Sequence, residues 1–177
     1  MKLLEKFDIV PNNEELYKIA FTHSSYSAKY GLDYDYERLE FLGDSVLNML
    51  TSEFIQNMHP KFSEGKLTKL RANYVCQNAL IVYSHENNLD KCIRLNLEDN
   101  ALTDNEVISI TADVFESFLG AIYLDQGIEK AKEFLEQTVF PYIEAKTIFF
   151  YDYKSTIKEY GDAESVKVCY ELLEEHR

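Results

Sequence analysis

Apolar residues recur at helical spacing along most of the chain. Over residues 36–58 they return every three or four positions, which predicts a long amphipathic helix. Its apolar stripe comprises Leu39, Leu42, Val46, Met49 and Leu50. Pro60 follows, and because proline cannot continue a helix, the helix is predicted to end before it.

Similar patterns flank this helix on both sides. Asn12 and Asn13 precede two glutamates, an arrangement typical of a helix start. Ser63 is predicted to cap another helix, and one side of that helix is formed by Leu67, Leu70, Tyr74 and Ile81. Residues 23–35 read as a loop or a short helix. Further helices are predicted over residues 14–21, 106–125 and 128–144, with a break at Gln126-Gly127.

The pattern changes after Lys146. Residues 147–152 form a short apolar connector, and residues 153–160 are long enough for two helical turns. Beyond them apolar side chains alternate with polar or small ones, the period of a strand, at Val166, Val168, Tyr170 and Leu172. The sequence therefore predicts an all-α domain followed by the opening helix and strand of a second, α/β domain.

Composition narrows the class of protein. Apolar residues make up 46% of the 177 residues, enough for a core, while the formal net charge is −13. An excess of acid this large argues against binding a polyanion through bulk charge. Three cysteines far apart suggest a reduced protein, and the charged N-terminus does not resemble a signal peptide. No apolar run approaches the ~18 residues of a membrane helix, so we expect a cytoplasmic protein without membrane contact.

Two predicted helices carry acidic residues opposite their apolar faces. Glu37, Glu40 and Asp44 share one side of the first helix. Asp113 and Glu116 are neighbours on the second, opposite Phe115, Phe118 and Ile122. If the helices pack together, these acids converge into the all-oxygen type of site that holds Mg²⁺ or Mn²⁺ for phosphodiester hydrolysis. Two solvated acidic faces explain the periodicity equally well.

The amino-acid sequences of these two segments resemble the motifs of a known family. Tyr-Glu-Arg-Leu-Glu-Phe-Leu-Gly-Asp-Ser-Val-Leu, residues 36–47, is similar to the signature motif of the ribonuclease III family, which commonly begins with Asn instead of Tyr36. Ala-Asp-Val-Phe-Glu-Ser-Phe-Leu-Gly-Ala-Ile-Tyr-Leu-Asp, residues 112–125, resembles its second acidic motif. Residues 22–26 and 67–73 also resemble family segments, in the same order.

The resemblance implies a fold, a reaction and partners. It implies an all-helical endonuclease domain over residues 1–146, a linker over 147–152 and a partial double-stranded-RNA-binding domain over 153–177. Members of this family cut double-stranded RNA as homodimers and leave 5′-phosphate and 3′-hydroxyl ends. Processing and maturation of RNA, including ribosomal RNA, is therefore the expected role.

The resemblance also assigns roles to individual residues. The family's metal ligands, for Mg²⁺ with Mn²⁺ as a possible substitute, fall on Glu40, Asp44, Asp113 and Glu116. Asp44 and Glu116 are the expected catalytic pair. Glu37 and Glu64 match acids that line the RNA cleavage valley, and Phe41 matches an aromatic that fills a pocket on the partner subunit.

Three other readings remain beside this one. A helical di-iron carboxylate protein needs Glu-x-x-His pairs, and neither acidic helix has a histidine at that spacing. A non-catalytic scaffold built on a dead nuclease domain would often have lost one of the four acids. An enzyme working without a binding domain on one structured RNA is the third, although the tail resembles the start of such a domain.

Overall fold

The computed structural model describes residues 2–96 and 103–150, and of Asp104 the backbone alone. Within these ranges the chain is helical and contains no strand; one backbone bridge joins Thr22 to Arg94. The helices are α1 (Lys2–Lys6), α2 (Glu14–Ala20), α3 (Ser24–Tyr30), α4 (Glu37–Met58), α5 (Glu64–Val75), α6 (Gln77–Asn87), α7 (Asp104–Thr138) and α8 (Phe140–Glu144), with a 3-10 turn at Asp90–Cys92. The predicted all-α class of the first domain is confirmed.

Helix α7 forms the centre of the fold. It packs against α4, α6 and α2, and the side chains of Phe115, Phe118 and Ile122 on its apolar face are fully buried. The Phe118 ring lies 5.3 Å from that of Phe21 and 5.4 Å from that of Phe134, measured between centroids. Ser117, buried on the same helix, donates a hydrogen bond to the Ala20 carbonyl at the end of α2. Other elements are therefore arranged around α7.

Helices α4 and α7 cross with their backbones in contact. A Cβ atom on Gly43 would lie 1.8 Å from the carbonyl oxygen of Glu116, and one on Gly120 would lie 2.3 Å from that of Leu39. Both distances are far below a van der Waals contact. Only glycine fits at either position, and the crossing point therefore lies beside the acidic residues of both helices.

Helix starts agree with the sequence in part. Asn13 caps α2 as predicted, because its side chain accepts the backbone N–H of Glu15 at 3.1 Å. Ser63 stands at the cap position of α5, but its side chain makes no capping hydrogen bond, which corrects that prediction. α7 begins earlier than expected, at a capping box in which Thr103 and Glu106 satisfy each other's backbone N–H groups.

Within the predicted helices, two boundaries differ from expectation and one agrees with it. The single helix predicted after Ser63 is two helices, because Cys76 has an extended backbone (φ −76°, ψ 157°) between them. Gly127 does break the next helical stretch as predicted, with φ 83° and ψ −175°. The last predicted helix ends at Thr138, and a short new helix starts after Val139. The apolar pattern of the sequence did not predict the short helix α1.

Two apolar features differ from expectation. Met49 belongs to the apolar stripe predicted for α4 but is 53% exposed, because it borders a cavity between α4 and α7 together with Ile128 and Glu129. The prediction that no stretch approaches membrane-spanning length also needs correction, because part of residues 105–138 meets that test by length and composition. Of that stretch 61% is buried inside the protein, as in the core helix of a globular domain.

The connector after α8 is fixed to the body of the domain. The Asn73 amide oxygen accepts the backbone N–H groups of Phe149 at 2.8 Å and Phe150 at 3.0 Å. Its nitrogen donates to the Thr147 carbonyl at 2.8 Å. One side chain thus holds residues 147–150 against α5. The rest of the predicted linker and the partial binding domain over 153–177 lie outside the described residues.

The glycine contacts at the helix crossing predict a large loss of stability when either glycine is replaced by alanine. In Gly43→Ala the new methyl group must push α4 away from α7, and we expect the free energy of unfolding to fall by about 2–3 kcal/mol or more. Gly65→Ala is the matched control, because a Cβ there meets nothing within 4 Å and alanine favours the helix by up to about 1 kcal/mol. Urea unfolding monitored by circular dichroism measures both, and equal stability of the two variants would contradict this account.

Candidate active site

The acids predicted from two separate segments meet in one cavity. It has a volume of about 590 Å³ and lies over the crossing of α4 and α7. Seven residues line it: Tyr36, Glu37, Glu40, Phe41, Asp44, Asp113 and Glu116. None of these is Lys, Arg or His. The structure therefore brings all four predicted metal-binding acids together with Glu37 and provides no cation from the lining to neutralise them.

Burial makes three of the lining carboxyls hard to ionise, those of Glu40, Asp113 and Glu116. Burial raises the pKa of Glu116 to about 8 and that of Glu40 to about 7, with smaller contributions from neighbouring carboxylates. Burial also raises the pKa of Asp113, although a hydrogen bond from Tyr36 opposes the shift. Such shifts are typical of functional sites, where charge is kept in place without its usual solvation.

Two hydrogen bonds orient acids of this cavity. The Tyr36 hydroxyl donates to Oδ2 of Asp113 at 3.1 Å. One turn beyond Asp44 on α4, the Asn48 amide donates to its Oδ1 at 2.7 Å. The hydroxyl of Tyr36 acts to lower the pKa of Asp113 against the effect of burial, because a donor beside a carboxylate stabilises its charged form. The amide of Asn48 holds the Asp44 side chain in one orientation on α4.

The two remaining predicted residues, Glu64 and Phe41, lie at or beyond the edge of the acidic cavity. Glu64 is exposed at the start of α5, accepts a hydrogen bond from Thr68 at 3.0 Å and does not line the cavity, so its part in RNA contact stays a prediction. Phe41 borders the cavity with 78% of its surface exposed. An exposed ring of this kind is available to insert into a partner subunit, but the interface role likewise stays a prediction.

A divalent cation suits the donors of this cavity. Carboxylate oxygens are the ligands that Mg²⁺ and Mn²⁺ prefer, and no Lys, Arg or His side chain lines the cavity beside them. Among the described residues, no three Asp, Glu, His or Cys side chains already surround one point as ligands. The helix crossing fixes the backbones, so the change required for binding is rotation of side chains.

One residue of the site was underestimated from the sequence. Tyr36 was noted only as a departure from the usual Asn, yet it is buried, lines the cavity and donates to Asp113. His23, interpreted as structural, does cap α3: its Nδ1 accepts the backbone N–H of Ser25 at 3.2 Å. The Tyr36 substitution itself was the only signal that a different contact had been made.

Comparison with known proteins supports the family resemblance that the two acidic motifs indicate. A family model described as Ribonuclease-III-like matches residues 13–143. Over 175 residues the chain is 41% identical to Ribonuclease 3 of Anoxybacillus flavithermus, an alignment that covers 97% of this chain and 74% of that protein. Ribonuclease 3 of Lactiplantibacillus plantarum is 39% identical over 178 residues, with 98% and 77% covered.

Solved structures show the same architecture. The nuclease domain of ribonuclease III from Campylobacter jejuni superposes with a TM-score of 0.71 at 31% identity, covering 79% of this chain and 95% of that one. That protein is described as having structural flexibility in a region involved in dimer formation. Dicer from Pichia stipitis matches with a TM-score of 0.58 at 33% identity, over 77% of this chain and 59% of its own.

The raised pKa values predict how stability depends on pH when divalent cations are removed. Glu40 and Glu116 hold a proton more tightly folded than unfolded, so their contribution is complete below about pH 4.5 and is lost as the pH rises through about 7 and 8. In EDTA, the melting temperature should therefore fall over this interval, and less steeply in Glu116→Gln.

Glu129→Gln is the control, because Glu129 is an exposed residue of α7 that does not line the cavity. It should follow the wild-type curve, while Glu116→Gln should melt above wild type at about pH 9, where Glu116 is ionised. Parallel curves for wild type and Glu116→Gln would contradict the raised pKa of Glu116.

Proposed function

The chain belongs to the ribonuclease III family, and on that premise we propose that it is an endoribonuclease that cleaves double-stranded RNA with divalent metal ions. We further propose that it acts as a homodimer in the cytoplasm in RNA processing, including that of ribosomal RNA. The chain spans about three quarters of the length of the curated relatives it matches.

One observation carries the catalytic part of this proposal. Four carboxylates from two helices line a single cavity that contains no cationic side chain of its own. A dead scaffold has no reason to keep two half-buried acids, Glu40 and Glu116, at raised pKa, since each of these two weakens the fold at neutral pH. A bound divalent cation would neutralise these acids and so restore the stability that their ionisation removes.

The acidic residues have two proposed roles: four would bind metal ions and two would contact RNA. Glu40, Asp44, Asp113 and Glu116 would hold Mg²⁺, or Mn²⁺ in its place. When bound, such ions supply Lewis-acid stabilisation of the phosphate and lower the pKa of water. Asp44 and Glu116 are the proposed catalytic pair, and Glu37 and Glu64 would face the RNA as acids of the cleavage valley.

Hydrolysis at this site would proceed by displacement at phosphorus. A water oxygen forms a bond to the phosphorus atom while the bond from phosphorus to the 3′ oxygen breaks. The 3′ oxygen takes up a proton, and the water gives one up. The products therefore carry a 5′-phosphate and a 3′-hydroxyl.

A second copy of the chain is proposed to complete the enzyme. Phe41 borders a large cavity of about 1030 Å³, whose apolar walls include Leu16, Ile19, Leu42 and Leu124. In a twofold dimer both subunits use the same patch, so a ring beside its own cavity can enter that of the partner while receiving the partner's ring. Each duplex would then meet two active sites, one for each strand.

Loss of one charge tests the catalytic assignment. Glu116→Gln keeps the shape of the side chain but removes an anionic ligand, and we expect cleavage of duplex RNA in Mg²⁺ to fall by orders of magnitude. Its fold, its dimer and its weak RNA binding should be retained. Glu129→Gln, measured beside it, should cleave like wild type.

Denaturing gels of end-labelled RNA, run with Mg²⁺ and with EDTA, measure the rate and identify the ends. If Glu116→Gln cleaves at the wild-type rate in Mg²⁺, the assigned site is wrong. If wild type cleaves equally well in EDTA, the metal dependence is wrong.

Truncation of Phe41 tests the dimer. Removal of a ring that anchors an interface typically costs about 2 kcal/mol or more, which raises the dissociation constant by about thirtyfold. Sedimentation equilibrium should therefore show a shift of Phe41→Ala toward monomer. Phe62→Ala removes another exposed ring, 42% accessible and outside the large cavity, and should leave the dimer intact. A wild-type protein that is monomeric at micromolar concentration would contradict the proposal.

A further inference from the structure

Tyr36 occupies a position where its side chain has no structural task in its own helix. It stands at the cap position of α4 but makes no capping hydrogen bond with its side chain. The backbone N–H of Glu37 is met instead by the Asp35 carboxylate at 3.1 Å. With only 4% of its surface exposed, the phenol is nevertheless buried, and its hydroxyl lies beside the acids.

The tyrosine is held from several sides. Its backbone N–H donates to the Thr22 carbonyl at 2.9 Å, and its own carbonyl accepts the N–H groups of Leu39 and Glu40. The His23 ring lies 5.7 Å from the phenol ring, between centroids, and His23 is itself fixed as the cap of α3. The hydroxyl therefore arrives at one place, 3.1 Å from Oδ2 of Asp113 across the helix crossing.

We propose that Tyr36 is a positioning residue for Asp113: its hydroxyl occupies one carboxylate oxygen, stabilises the charged form and leaves the other oxygen to bind a divalent cation. The inference rests on the proposed function, because it requires that Asp113 be a ligand. Carboxylates that bind metals are commonly oriented by such a hydrogen bond from outside the ligand set. In this chain a tyrosine provides it, where the family commonly has Asn.

The chain contains a matched case of the same contact without a metal role. The buried Tyr17 donates its hydroxyl to Oδ2 of Asp125 at 2.9 Å, also on α7. Asp125 receives the backbone N–H groups of Asn12 and Asn13 as well, so it anchors the loop before α2. It lies about 18 Å farther along the helix than Asp113. Tyr17→Phe thus removes an equivalent phenol–carboxylate hydrogen bond remote from the cavity.

Titration with Mn²⁺, followed by electron paramagnetic resonance of the free ion, tests the role without any cleavage assay. Tyr36→Phe removes one oxygen atom and should weaken Mn²⁺ binding by about tenfold. Tyr17→Phe should bind like wild type. In EDTA both variants should lose a similar 2–4 °C of melting temperature, because each loses one hydrogen bond of the same kind.

Cleavage in rising Mg²⁺ supplies a second readout. The deficit of Tyr36→Phe should narrow as Mg²⁺ increases, with the Michaelis constant for RNA unchanged, whereas a deficit caused by general loosening should appear equally in Tyr17→Phe. Tyr36→Asn places the family's usual residue in this chain, and should also bind Mn²⁺ more weakly than wild type because Asn reaches less far. It decides the question if Tyr36→Phe does not fold.

The outcomes separate the two proposals. If wild type binds Mn²⁺ and the folded Tyr36 variants bind it equally well or more tightly, the positioning role is wrong and the proposed function stands. If wild type binds no Mn²⁺, both are overturned.

Discussion

Contact between the backbones of α4 and α7 is the constraint on which the site depends. Two glycines, Gly43 and Gly120, each meet a carbonyl oxygen of the opposite helix, and a single methyl group at either would separate them. The acids flank these contacts in sequence, so the crossing determines their spacing. Chains with larger residues at the crossing could keep the same four acids and still fail to bring them together. Glycine in this motif is as necessary to the chemistry as the carboxylates.

Sequence reasoning succeeded where local signals were sufficient. The α4 pattern, the Asn13 cap and the break at Gly127 are each encoded within a few residues. It failed at Cys76, where the apolar pattern continues in phase through an extended residue that is neither Gly nor Pro. Convergence of the acids depends on a tertiary crossing, and so it followed from the family's motifs and not from periodicity, which left solvated faces equally acceptable. The donor from Tyr36 depends on packing around His23, which no pattern reports.

The site opposes the rest of the fold energetically. α7 is stabilised by its buried aromatic face, while the neighbouring face of the same helix places Asp113 and Glu116 where ionisation is unfavourable. A rigid core is what allows these charges to remain close, because a looser one would let the helices separate and relieve the repulsion. Stability of the scaffold is thus used to maintain an arrangement that is itself unstable, as expected for a preorganised active site.

The side chain of Asn73 has a consequence for anything attached after the nuclease body. By holding the backbone at Thr147, Phe149 and Phe150, it moves the point at which the chain leaves the domain from the end of α8 to Phe150. Because Asn73 lies on α5, that helix determines where a following module would be attached to this domain. One amide thereby controls the attachment point of whatever follows the domain, although it lies outside the cavity that the acids line.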